Sequence, residues 1–125
     1  LPRFNHALSV LLDDLDQRGL SEQVTVIVWG EFGRTPRINA KGGRDHWPAT
    51  QSVLITGGGL RSGQIVGDTD RTGGHPVDRP VHVQEMFATL YRQLGIDVDR
   101  VKIPDLNGRP RYLVEADRQP IRELF

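Results

Sequence analysis

The sequence predicts an α/β fold, with a mainly parallel sheet flanked by helices. Two mainly apolar, β-branched runs, residues 24–29 and 52–56, read as buried strands. Two amphipathic segments with apolar residues at three- and four-residue steps lie outside those runs. The polar, glycine-rich stretch 30–50 starts where the first run ends. Open α/β sheets place their ligand crevice beyond such strand ends.

Each element has its own signals. Phe4, Leu8, Leu11, Leu12 and Leu15 predict a helix over 3–18, with Pro2 suited to its first turn and Gly19 at its C-cap. Asp13, Asp14, Asp16 and Arg18 cover its polar side, most simply a solvated face. The first strand ends at Gly30. Loop 30–50 exceeds the roughly 12 to 15 residues beyond which a loop in a compact domain is often functional. The second strand stops at Gly57-Gly58-Gly59, which lacks the ending of a P-loop and the spacing of a dinucleotide fingerprint. A short third strand is predicted at 64–66, then a polar loop over 67–80. Val83, Met86, Phe87, Leu90, Tyr91 and Leu94 predict a helix over 81–94, closed by Gly95, with Asp78 as its N-cap and Pro80 near its first turn. The tail, with Pro104, Pro110 and Pro120, reads as irregular apart from one strand at 112–114.

Composition narrows the function classes. The 125 residues suit one domain, and 37 % hydrophobic with 26 % charged residues fits a globular chain. Sixteen basic residues balance sixteen acidic ones, which argues against general binding to nucleic acid or an anionic membrane. Lys41 and Lys102 are the only lysines, so arginine dominates the cations. The absence of cysteine excludes disulfide scaffolds, Cys-zinc sites and thiol catalysis. No apolar run approaches the roughly 20 residues of a membrane span, and no signal peptide is visible. The chain begins at Leu1, already in helical pattern, which predicts a piece of a longer protein.

Three constellations carry candidate chemistry. In Gly30-Glu31-Phe32-Gly33-Arg34-Thr35-Pro36, Glu31 follows a strand directly and suits a divalent-metal ligand or a base. Arg34 suits a phosphate or sulfate oxygen; alternatively Glu31 and Arg34 pair with each other or with Arg37. In Gly42-Gly43-Arg44-Asp45-His46-Trp47-Pro48, an Asp-His pair offers oxygen and imidazole ligands, or Asp45 orients His46. The alternative is an Asp held in a turn beside an exposed His, with Trp47 covering a strand end. Asp68, Asp70, Arg71, His75, Asp78 and Arg79 hold suitable residue types, but the glycines and prolines among them favour a structural loop.

The segment 26–36 followed by Gly43-Arg44-Asp45-His46-Trp47 resembles the C-terminal part of the DUF1501 domain family. The likeness continues through 52–59, 63–67, 78–81, Leu106-Asn107-Gly108-Arg109-Pro110 and 120–124, nearly the whole chain. That resemblance implies kinship with the alkaline phosphatase and sulfatase superfamily and part of a three-layer sandwich. By analogy Glu31 stands at an Asp ligand position and His46 at a downstream His ligand position. Phe32 occupies the place of a second motif histidine, which leaves one metal or none. The superfamily's nucleophile and remaining ligands lie in an earlier segment, so residues 1–125 are expected to be a C-terminal fragment, inactive alone.

Two functions follow as expectations. One is part of a metal-dependent hydrolase of small-molecule phosphate or sulfate esters. It has Glu31 and His46 as ligands of zinc, manganese, magnesium or calcium, Asp45 as orienter or extra ligand, and Arg34 as oxyanion clamp. The other is a binding or scaffold protein that retains the fold without catalysis. The resemblance implies a periplasmic or secreted location. A strand without its sheet partners implies self-association through an exposed sheet edge.

Overall fold

The computed structural model describes all 125 residues. Helix α1 spans Pro2–Gln17 and α2 spans Val83–Gln93. Eight short strands form four separate two-stranded antiparallel ladders. Strand β1 (Thr25–Val28) pairs with β4 (Leu54–Gly57), and β2 (Gly33–Arg34) with β3 (His46–Trp47). Strand β5 (Asp68–Thr69) pairs with β6 (Pro76–Asp78), and β7 (Lys102–Pro104) with β8 (Pro110–Tyr112). A 3-10 turn, Arg122–Leu124, closes the chain.

This corrects the expected mainly parallel sheet and three-layer sandwich. Parallel neighbours need a crossover connection, usually a helix. Between β1 and β4 the chain instead folds the β2–β3 hairpin and returns antiparallel, with Val26 opposite Thr56 and Ile27 opposite Ile55. Strand β1 is half-buried along its whole length, so a mainly apolar run did not mean a fully buried strand. The expected strand at 64–66 does not form; Val66 packs against the core from an irregular segment. The expected strand at 112–114 forms two residues earlier, as β8.

Both helices end as their glycines predict. After α1, Gly19 adopts φ +69° and donates to Asp16 O at 2.9 Å, while Leu20 N–H reaches Leu15 O at 2.8 Å. Gly95, at φ +73°, repeats this after α2, with Ile96 N–H donating to Tyr91 O at 2.8 Å. Both are Schellman endings. The start of α2 differs from expectation. His82 is the N-cap: its Nδ1 accepts from Gln84 N–H at 3.2 Å, and Glu85 reaches back to His82 N–H at 2.8 Å. This capping box leaves Asp78 in β6.

Helix α2 organises the core. Leu60, Met86, Ile121 and Leu124 form one buried cluster, with Trp29, Val53, Ile55 and Phe125 packed on it. Ala88, Val98 and Val114 form a second, beside Tyr91. Helix α1, by contrast, has no buried residue. No helix is long and apolar enough to cross a membrane.

Candidate functional site

The β2–β3 hairpin exists because loop 30–50 doubles back on itself. Gly33 lies opposite Trp47 and Arg34 opposite His46. Thr35 N–H donates to Asp45 O at 3.0 Å, and Arg44 Nη1 donates to the carbonyls of Thr35 and Pro36, each at 2.6 Å. Close approach explains Gly33: a Cβ there would overlap the Thr50 carbonyl.

Beside this hairpin lies an open groove of about 330 Å³, lined by Gly30, Phe32, Gly33, Arg34, segment 50–52, Thr69 and Gly73. Gln51 ties its floor: its amide N–H donates to Gly30 O at 2.8 Å and its oxygen accepts from the Trp29 indole at 2.9 Å. The lining contains one guanidinium, three hydroxyls and no carboxylate. Arg34 donates to Arg44 O at 3.3 Å, which uses one of the five N–H groups of a guanidinium.

The four site residues named from sequence all lie on or next to this hairpin. Arg34 lines the groove, and its guanidinium carbon is 5.5 Å from the centre of the Phe32 ring. The exposed His46 imidazole stacks on Phe32 at 3.8 Å between centroids. Glu31 is exposed between two lining residues and pairs with neither Arg34 nor Arg37. Asp45 accepts from Asn39 Nδ2 at 2.9 Å, and its backbone N–H donates to Thr35 Oγ1 at 3.1 Å.

Nowhere do three His, Asp or Glu side chains gather where they could hold a metal ion. Glu31 and His46 offer two donors, fewer than the three protein ligands of a catalytic zinc site. This chain's own donors therefore do not complete a metal site.

A second hairpin also contributes to the groove. Thr69 and Gly73 come from the β5–β6 hairpin, whose sequence holds suitable site residues but favours a structural loop. Asp70 builds its turn. Asp70 Oδ1 accepts from Thr72 N–H, Thr72 Oγ1 and Gly74 N–H at 2.8, 2.6 and 3.0 Å, and Oδ2 accepts from His75 N–H at 3.1 Å. These donors, the Thr72 hydroxyl first, pull its carboxyl from the usual 3.8 down to about 2. An Asp followed by Thr and two glycines was the available signal.

A family model described as a protein of unknown function, DUF1501, matches residues 1–125. The chain belongs to the DUF1501 family. No curated protein and no solved structure matches it. Family membership thus rests on the full length of the chain, including both motifs of the β2–β3 hairpin.

Proposed function

We propose that this DUF1501 chain supplies the oxyanion-binding part of a hydrolase acting on phosphate or sulfate esters. The observation that carries the reading is the groove beside Arg34, which combines a guanidinium with hydroxyl donors and no carboxylate. Such a lining suits a tetrahedral oxyanion, because every charged or polar side chain in it can donate and none repels negative charge. In this reading Arg34 clamps the anion. Glu31 and His46 contribute a carboxylate and an imidazole to a divalent-metal site whose other ligands come from outside these residues. Asp45 fixes the approach to His46 through its bonds to Asn39 and Thr35. The nucleophile is none of these four residues.

The lack of a three-donor cluster favours a second reading, a non-catalytic anion-binding module. Thermal melts separate the two. Wild type, Arg34→Gln and His46→Ala are melted with chelator, then with zinc, manganese, magnesium or calcium, each with and without inorganic phosphate or sulfate. A ligand at 100 times its Kd stabilises by about 2.7 kcal/mol, a readily measured rise. The hydrolase reading expects an anion-dependent rise lost in Arg34→Gln and, because Glu31 and His46 supply only two donors, a small metal-dependent rise, seen at high metal concentration and lost in His46→Ala. An anion rise without any metal rise supports the binding module. No rise with any ligand contradicts both.

A further inference from the structure

We infer that Trp47 is a positioning residue for the groove: its indole latches in place the β5–β6 turn, which shares the groove's lining with Arg34. This rests on the oxyanion reading above. The two hairpins belong to separate ladders with no strand pairing between them. Across that gap Trp47 Nε1–H donates to Gly74 O at 2.6 Å, between residues 27 apart in sequence. The same indole meets the His75 ring edge-on, with centroids 5.5 Å apart. Gly74 is buried, and a Cβ there would press on Pro36 Cγ and Thr72 Oγ1, both at 3.1 Å. The latched turn is therefore in close contact with Pro36, the end of the first motif.

The consequence falls on Thr69 and Gly73, the two lining residues this turn contributes. Inside the turn, Asp70 gathers its four donors, so the turn is rigid in itself. What it needs from outside is a fixed attachment, and the indole N–H supplies one. Trp47 lines no part of the groove. It acts on a bound anion by keeping Thr69 and Gly73 in the lining that Arg34 shares.

The test is Trp47→Phe, which keeps an aromatic ring and removes the N–H, with Asp70→Asn as a second, independent variant that loosens the turn from within. Affinity for inorganic phosphate is measured by calorimetry, amide exchange by NMR, and the melting midpoint in parallel. The inference expects phosphate affinity about three- to tenfold weaker in both variants, the scale of one lost hydrogen bond. It also expects faster exchange confined to residues 70–75 and a midpoint within a few degrees of wild type. Wild-type affinity in Trp47→Phe, or unchanged exchange at 70–75, overturns it. Should Trp47→Phe fail to fold, the indole N–H of Trp47 in the wild type decides: slow solvent exchange supports the latch, and exchange as fast as a free indole overturns it. A wild type that binds no phosphate overturns the oxyanion reading, and exchange at 70–75 then decides the latch by itself.

Discussion

Thr89 is a polar residue with no exposed surface, and its hydroxyl both donates and accepts. It donates to Glu85 O at 2.7 Å within α2 and accepts from Ile121 N–H at 2.9 Å. That second bond fastens the C-terminal segment to the helix. Thr89→Val keeps the volume but orphans a buried N–H, which costs about 1 to 3 kcal/mol. Urea denaturation should show the loss; an unchanged midpoint would mean that water or another carbonyl replaces the hydroxyl. Arg79 makes a second fastening, donating to Glu123 at 2.7 and 3.1 Å and to Glu85 at 3.0 Å. It holds this geometry at φ +38°, outside the region most side chains adopt. The guanidinium draws the Glu123 carboxyl from 4.5 down to about 2. A depressed carboxyl stabilises the fold above its unfolded pKa and ceases to as pH falls through its folded one. The stability gap between wild type and Glu123→Gln should therefore be full above about pH 4.5 and close on acidification towards pH 2. A gap independent of pH would show that Glu123 contributes through packing alone.

Among the elements, helices were the legible part. Apolar spacing located both to within two residues at either end, and Gly19 and Gly95 marked their ends, because helical periodicity and a left-handed cap are local properties. Replacing either glycine with alanine forces a Cβ into φ near +70° and should cost about 1 to 2 kcal/mol in a denaturant melt. A smaller loss would mean the turn relaxes to another conformation. Strand pairing was not legible, because partner and direction depend on where loop 30–50 sends the chain. That loop hides a hairpin only two residues long on each side, too short for any alternation to register. The same limit applies to the groove. Glu31, Arg34, Asp45 and His46 stand out by type and spacing, and of the four Arg34 lines the groove while the others lie on or beside its hairpin. Thr69, Gly73 and the cap at His82 did not, because their parts are set by contacts between segments distant in sequence or by a side chain's rotamer.

Over the whole molecule, burial is thin. Only nine of 125 residues are buried, and Ile65 is 94 % exposed. Phe4 and Leu11 remain exposed on α1, and every two-stranded ladder leaves both outer edges unpaired. We predict that the chain associates with itself as its concentration rises, and sedimentation velocity across a concentration series checks this. A monomer throughout would mean that the exposed apolar residues are too scattered to act together. The groove concentrates the functional account in one place, so the most direct measurement is an NMR titration of the backbone amides with inorganic phosphate. Saturable shifts clustered at Gly30, Gly33, Arg34, Gln51, Ser52, Thr69 and Gly73 are expected, and their loss in Arg34→Gln. Shifts that do not saturate, or that cluster elsewhere on the chain, would contradict the oxyanion reading.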